Sequence, residues 1–323
     1  MNVINRSIAR VLRFIYRLVF RNRIKRIELQ KENGKLKYQL EYMKHHFDIA
    51  QMKPATGWLR EYQLKELNYA MEIIKLANSF EINPFFDAGS LLGAIRHSGF
   101  IPFDDDIDLG LIRNEFNKFI DIAKQKFVWI DTSNIKDKSF EEFCDKKISL
   151  HKNKYVFIQT PFCIHIYKGT SLLDAMNCEI FPFDYVKEDV SEQNYINFLD
   201  QSKGNFSLRH PWKNIFDVYN TILESGKIYS DSPTSRITAG PGHYAFTQYS
   251  FLGFRDIEDL YPLKTIRFEN EYVPVPKNPE KFVSKNYNSW NDFPDDVGIS
   301  HSLEVLNNYF KSKGQSIPFK EIY

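Results

Sequence analysis

No stretch of about 18 apolar residues occurs in the 323 residues, so no segment reads as a membrane span. Cysteine is scarce. Cys144, Cys163 and Cys178 form no Cys-x-x-Cys pair and no ligand cluster, which argues against both a disulfide framework and a zinc module. They read as reduced, mostly buried thiols of a cytosolic protein. None of the eight histidines lies at zinc spacing, and each is read as structural. A strong excess of either charge is also missing: 43 basic against 41 acidic residues leave a net +2. No nucleic-acid partner is expected. What is present is a large core. Hydrophobic residues make up 43% and aromatics 15%, with 28 Phe and 18 Tyr, which excludes disorder.

The small net charge hides an uneven spread. Residues 1–27 carry Arg6, Arg10, Arg13, Arg17, Arg21, Arg23, Lys25 and Arg26 and no acid, so the remaining 296 residues hold −6. On a helix from Ser7 to Val19, Arg6, Arg10, Arg13 and Arg17 fall within about 60° of one another. Ile4, Ile8, Val11, Ile15 and Leu18 take the opposite side. Such segregation suits an anionic bilayer surface. It also suits a helix packed on its own domain or a coiled-coil arm, and Leu29, Leu36 and Leu40 in the segment Ile27–Tyr42 carry heptad-like spacing. Arginines interrupt the apolar run and no small-residue cleavage site follows, unlike a secretory signal. The expected organisation is a basic amphipathic and helical arm over residues 1–53, with a possible homo-oligomer through it, and a catalytic domain over residues 54–323. The expected location is cytoplasmic, peripheral to the inner face of the cell membrane.

The domain starts at the turn Pro54-Ala55-Thr56-Gly57. Leu64, Leu67, Met71, Ile74 and Leu76 predict a helix over Trp58–Phe80, closed by Asn83-Pro84. Phe85-Phe86 predict a short buried strand. Gly89-Ser90 then sit where strand turns into helix, a place that exposes backbone N–H groups and a hydroxyl to a phosphate. Sixteen residues on, Asp104, Asp105, Asp106 and Asp108 precede an apolar strand. If Asp106–Leu111 is extended, Asp106 and Asp108 share one face while Ile107 and Leu109 enter the core. Two adjacent carboxylates repel unless a cation neutralises them, and hard oxygen ligands suit Mg²⁺ or Mn²⁺. Asp104 and Asp105 read as loop support. A nucleotide-sugar glycosyltransferase with an Asp-x-Asp motif competes on these residues alone. A third carboxylate is expected from a neighbouring strand. Glu179, between Cys178 and Ile180, is the candidate, since an acid in an apolar run needs a partner. Asp184, after Pro182, reads as a turn or loop acid.

The run Gly89-Ser90-Leu91-Leu92-Gly93-Ala94-Ile95-Arg96-His97-Ser98-Gly99-Phe100-Ile101-Pro102-Phe103-Asp104-Asp105-Asp106-Ile107-Asp108 resembles the signature of the LicD family. The Glu179–Asp184 strand and Val273-Pro274-Val275-Pro276, with Tyr287 and Trp290 beyond, are similar to later motifs of that family. Phe103, Glu179 and Asn288 stand where it usually has Trp, Asp and Gly. The resemblance implies an α+β fold, a nucleotidyltransferase (polymerase-β-like) core with a mixed sheet flanked by helices. It implies that Gly89 and Ser90 contact phosphate and that Asp106 and Asp108 hold the metal; with Glu179 from the neighbouring strand they make up the expected catalytic, metal-holding set. Arg96 is expected either to brace a phosphate or to serve structure. The implied reaction is metal-dependent transfer of a phospho-substituent, phosphocholine-like, from a nucleotide-activated donor (cytidine diphosphate-choline) onto a cell-surface glycan: capsule, teichoic acid or lipopolysaccharide. A non-catalytic membrane-surface scaffold of the same fold is the further alternative.

Tyr155–Thr160, Phe162–Tyr167 and Met176–Phe183 are β-rich and extend the expected sheet. Glu192–Asp200 and Lys213–Leu223 predict helices. Ser230–Gly242 predicts a long loop, which makes His243 and Tyr244 site candidates. Trp212 and Trp290 are weighed as faces for a choline-like cation against core packing.

Overall fold

The computed structural model describes residues 2–132, 135, 139–203, 220–239, 253–287, 289–292, 311 and 314. Two units are distinguished, one covering Met1–Ile49 and the other having Ala50–Asn291 as its body. The first unit is essentially one helix, α1 (Asn2–His46), ended by the basic turn Lys44, His45 and His46, which suits the negative end of the helix dipole. The amphipathic segment Ser7–Val19 and the heptad-like segment Ile27–Tyr42 both fall on this one helix. Ile24, Ile27, Leu29, Leu36, Tyr38 and Tyr42 along its second half are 44–74% exposed.

The second unit is α+β, with a mixed sheet flanked by helices. Helix α2 (Gly57–Asn78) buries Leu59, Gln63, Glu66, Leu67, Ala70, Ile73, Ile74 and Ala77, a stripe at helical spacing. Leu64, expected on the apolar face, points outward, and the polar Gln63 and Glu66 take inward positions instead. After α2 come β1 (Phe85–Phe86), α3 (Ala88–His97), β2 (Asp108–Ile112), α4 (Arg113–Lys126), β3 (Val128–Asp131), α5 (Phe140–Leu150), β4 (Val156–Gln159), β5 (Ile164–Lys168), β6 (Met176–Val186) and α6 (Glu192–Lys203). Then follow β7 (Arg236–Ala239), β8 (Arg255–Asp256), α7 (Ile257–Leu260), β9 (Lys264–Phe268), β10 (Glu271–Val275) and α8 (Pro279–Ser284).

The sheet order is β1-β2-β6-β5-β4-β3, with β7 on β6 and β8 on β7. Strand β6 is its axis. It runs parallel to β2, antiparallel to β5 through its first half and antiparallel to β7 through its second. Leu109, Leu111, Ile180 and Phe183 are buried beside Phe85, Phe86 and Phe119 in the main core, against which α2 and α4 lie. Gly110 is required where it stands: a Cβ there would meet the Phe85 ring at 2.5 Å.

Three expectations change. Strand β2 begins at Asp108, not Asp106, so Asp106 lies in the loop before it. The loop expected over Ser230–Gly242 contains β7, because Ile237, Thr238 and Ala239 are buried against β6. Asp184 lies within β6 and not in a turn. The Val273-Pro274-Val275-Pro276 segment does enter a hairpin, β9–β10. The predicted helix Lys213–Leu223 lies largely, and Trp212, His243 and Tyr244 wholly, outside the described residues.

Candidate active site

The site is assembled where β1 turns into α3. Asp87 ends the strand in extended geometry, and Ala88 then takes a left-handed backbone with φ 46°, which costs on the order of 1–2 kcal/mol for a residue with a Cβ. Strain of this kind persists where surrounding contacts over-determine it. Here the Leu91 N–H donates to the Asp87 carbonyl at 2.9 Å, and the Asp87 N–H donates to the Asp108 carbonyl at 3.1 Å. Gly89 follows because Asp104 needs its space: a Cβ would stand 2.9 Å from Asp104 Oδ2. The Ser90 hydroxyl oxygen accepts the Asp108 N–H at 2.9 Å, tying the helix start to the first residue of β2.

The acidic loop is held from several sides. Gln63 of α2 donates Nε2 to the Asp104 carbonyl at 2.8 Å. The hairpin residue Glu269 accepts the Phe100 N–H at 3.1 Å and pairs with Arg60 Nη1 at 2.7 Å. Gly93 lacks a side chain because the returning chain passes over it, with a Cβ there only 2.5 Å from the Gly99 carbonyl oxygen.

Register then fixes the carboxylates. Asp108 stands directly opposite Glu179 in the parallel β2–β6 pair, and Glu179 opposite His165 in the antiparallel β5–β6 pair. The neighbouring-strand placement of Glu179 is as the sequence led one to expect. The intended set of Asp106, Asp108 and Glu179 does not, however, form one tight group. Among the described residues, ligand atoms lie within 4.8 Å of one another in two groups: Asp104, Asp105 and Asp106, and Cys163, His165 and Glu179. Asp104 and Asp105, expected as loop support, thus join Asp106 in offering oxygens.

Electrostatics divides these acids. Burial, then the charges of Asp106 and Asp105, push the Asp104 carboxyl well above the usual range. Burial, then Asp106, Glu179, Asp104 and Asp87, do the same to Asp108. For Glu179 burial acts upward too, but His165, Asn177 and Cys163 outweigh it and hold the carboxyl below its ordinary value. His165 Nδ1 lies 3.0 Å from Glu179 Oε1, within ion-pair distance though poorly aligned for a hydrogen bond. On its other side His165 Nε2 lies 3.3 Å from Cys163 Sγ. Burial lowers the imidazole, and Cys163 and Glu179 overcome that and raise it well above the usual histidine range. His165 is therefore no ordinary structural histidine, and Cys163 is not isolated from ligand-type groups.

Beside the acids lies a cavity of about 270 Å³ between α2, α5 and the β5–β6 strands. Tyr62, Glu66, His165 and Asn177, which sequence reading missed, line it together with Asp105, Asp106 and Glu179. The available signal was Glu66 itself, an acid on the apolar stripe of α2. Burial pushes its carboxyl up to about 8, against the opposing hydrogen bonds from Tyr62 and the Asn177 N–H, with Asp106 and Asp105 adding to the rise. Arg96 is engaged elsewhere. It donates Nη1 to the Trp290 carbonyl at 2.7 Å and Nε to His97 at 3.0 Å, which favours the structural reading. Trp290 packs against the main core.

The α+β unit thus gathers acids before one strand, places a further acid on the next and sets a Gly-Ser helix start beside them. Residues 81–215 match the family described as LicD/FKTN/FKRP, nucleotidyltransferase domain. The chain is similar to the lipopolysaccharide cholinephosphotransferase LicD of Haemophilus influenzae, 45% identical over 75 residues, which are 23% of this chain and 28% of that protein. It is also 41% identical over 51 residues to an uncharacterized protein of Rickettsia typhi, covering 16% of each. A similar stretch of 41 residues, 44% identical, links it to an uncharacterized protein of Rickettsia prowazekii, over 13% of this chain and 15% of that one. The chain thus spans between 15% and 28% of the length of these relatives.

Proposed function

We propose that this chain is a phosphotransferase that moves a phospho-substituent, of phosphocholine type, from a nucleotide-activated donor onto a hydroxyl of a cell-surface glycan such as lipopolysaccharide. The observation that carries the reading is the acidic loop 104–108 set against the Gly89-Ser90 helix start and, across the parallel strand pair, Glu179. The printed activity of the Haemophilus influenzae relative, a lipopolysaccharide cholinephosphotransferase, supports the chemical class. The order of a Gly-Ser turn, acids before the next strand and an acid on its neighbour supports a nucleotidyltransferase type of fold. A sugar-transferring Asp-x-Asp enzyme has no need of that turn.

The donor set fits Mg²⁺ or Mn²⁺. Hard carboxylate oxygens from Asp104, Asp105 and Asp106 converge, Asp108 and Glu179 face each other across the strands, and these are the ligand types such ions take. Asp106, Asp108 and Glu179 would hold the ion, with Asp104 and Asp105 beside them. When bound, the ion would supply positive charge to neutralise the donor phosphates. The chain supplies the rest. Ser90 accepts from Asp108 N–H, which leaves its own hydroxyl hydrogen for a phosphate oxygen, and the N–H groups at the start of α3 add to it. A carboxylate of the Asp106, Asp108 and Glu179 set takes the proton of the acceptor hydroxyl.

Among the described residues no helix is long and apolar enough to cross a membrane. In this reading the eight basic residues of segment 1–27 hold the enzyme to the anionic inner face of the cell membrane. The exposed Leu29 and Leu36 of α1 suit pairing with a second copy. The full chain with Mg²⁺, cytidine diphosphate-choline and lipopolysaccharide should yield glycan carrying phosphocholine by mass spectrometry. Transfer should stop with a chelator and in Asp108→Asn; undiminished transfer in that variant sinks the assignment.

A further inference from the structure

Strand pairing brings together three metal-ligating side chains that no local spacing announces. Cys163 directly precedes β5 and His165 lies on it two residues further, so extended backbone turns both to one face of the sheet. Glu179 is the register partner of His165 across β5–β6. The thiol, imidazole and carboxylate donors lie within 4.8 Å of one another. Each is held by its own neighbours. The Thr160 hydroxyl oxygen accepts the Cys163 N–H at 3.1 Å, and Asn177 donates Nδ2 to Glu179 Oε1 at 3.0 Å. The Phe140 and Tyr167 rings stand 5.2 and 6.0 Å from that of His165. Supports of this kind around a ligand set fix its orientation.

The distances are those of ligands around one ion. Cys163 Sγ lies 3.3 Å from His165 Nε2 and 3.9 Å from Glu179 Oε2, and Glu179 Oε1 lies 3.0 Å from His165 Nδ1. A tetrahedral Zn²⁺ with bonds of about 2.0–2.3 Å sets its donors about 3.3–3.6 Å apart, so shifts of a few tenths of an ångström would complete the shell. A second sign is Nδ1 itself. His165 is 9% exposed, and this buried nitrogen has no hydrogen-bond partner although a carboxylate oxygen stands 3.0 Å away. Buried polar atoms this close normally align and bond. A nitrogen and an oxygen that approach without bonding are placed as two ligands of a third atom are.

We propose that Cys163, His165 and Glu179 form a second metal site, which takes Zn²⁺ and not Mg²⁺, and that its occupation withdraws Glu179 from Asp108 and arrests transfer. The arrest rests on the phosphotransferase reading; the site does not. Thiolate and imidazole are ligands that suit Zn²⁺ and not Mg²⁺, whereas the oxygens of Asp104, Asp105 and Asp106 are the hard set. Thiolate and carboxylate together cancel the two charges of the ion, so the loaded site adds no net charge to the interior. One carboxylate serves both sites, because Glu179 faces Asp108 across β2–β6 and His165 across β5–β6. The cavity of about 270 Å³ that Phe140, His165 and Glu179 line gives the ion a way in and room for a fourth ligand from outside the chain.

The test is titration of the full chain, stripped with a chelator, with Co²⁺ as a spectroscopic stand-in for Zn²⁺ in an excess of Mg²⁺. A thiolate-to-cobalt charge-transfer band should rise in the near ultraviolet and saturate at one ion per chain, and Zn²⁺ should abolish it. The band should vanish in Cys163→Ser and in His165→Gln, with folding of both checked by circular dichroism, and persist in Cys144→Ser and Cys178→Ser. No band, or one that outlives both Cys163→Ser and His165→Gln, overturns the site. The arrest is read as phosphocholine transfer at saturating Mg²⁺. An equimolar amount of Zn²⁺ should lower it ~10-fold or more in the wild type and less than ~2-fold in Cys163→Ser. Equal inhibition of the two overturns the claim on Glu179. If the chain transfers nothing even without Zn²⁺, the phosphotransferase reading falls and the arrest with it, while the cobalt band still decides the site.

Discussion

In β6, Asp184 faces the guanidinium of Arg113 at 2.6 and 2.8 Å, and Glu179 lies against His165 and Asn177. In the loop before β2 and at the strand's first residue, by contrast, Asp104 and Asp108 feel first their burial and then the charges of other acids, Asp106 foremost. One region neutralises its carboxylates from within the chain, and the other concentrates them. Internal compensation is the signature of acids that hold a fold together. Concentrated, partly buried acids at the start of a strand are suited to a cation from outside. Glu179 belongs to both worlds, being braced by a histidine while facing Asp108 across the strand pair.

Changing single charges tests this division. The largest effect is expected for Asp108→Asn, which should lower phosphocholine transfer by ~10³-fold or more while leaving the thermal midpoint unchanged or higher, because a source of repulsion is removed. A large drop in the midpoint would place Asp108 with the structural acids. Next comes Arg113→Leu, which strands Asp184 in a buried position and should cost about 3–5 kcal/mol in chemical denaturation. A loss below ~1 kcal/mol would show that water reaches Asp184.

Glu66 gives the pH-dependent case. Its folded value of about 8 stands above the ordinary 4.5. The folded state therefore holds a proton that the unfolded state gives up, and the Glu66 contribution falls as pH rises from about 4.5 to about 8. Glu66→Gln should gain on the wild type by about 2–3 kcal/mol between pH 5.5 and 8.5, read as the difference of two unfolding curves. A gap that does not widen with pH would remove Glu66 from the buried acids. The smallest effect is expected for His165→Gln, about 10-fold in the Mg²⁺ concentration needed for half-maximal transfer, as for a residue that orients a ligand. An unchanged Mg²⁺ requirement would limit His165 to packing.

Much of this site can be read along the chain. The Gly89–Asp108 motif places a helix start and an acidic loop within twenty residues, and the apolar run Leu109–Ile112, buried throughout, marks the strand that follows. An acid between Cys178 and Ile180 announces the neighbouring strand. The cavity wall is different. Tyr62 and Glu66 on α2, Phe140 on α5 and His165 on β5 meet Asn177 and Glu179 only through long-range pairing of β5 with β6 and packing of α2 over them. No local pattern carries that information. Glu66 does break the apolar stripe of α2, and a polar residue in such a place is the trace that long-range chemistry leaves in a sequence. The start of β2 was misjudged by two residues because Asp106 keeps strand-like alternation with Ile107 although the ladder begins only at Asp108.

The register of Asp108 opposite Glu179 has a consequence for how such a site can change over time. A strand pair cannot slide by a fraction of a residue, and a one-residue slip turns every side chain to the other face of the sheet. The spacing between the two carboxylates is therefore quantised, and gradual substitution cannot tune it. Adaptation to a new donor or acceptor is left to what surrounds the strands, such as the walls contributed by α2 and α5, where one side chain can be exchanged without disturbing the ladder. The chemistry is locked to a lattice, and the selectivity is free to drift.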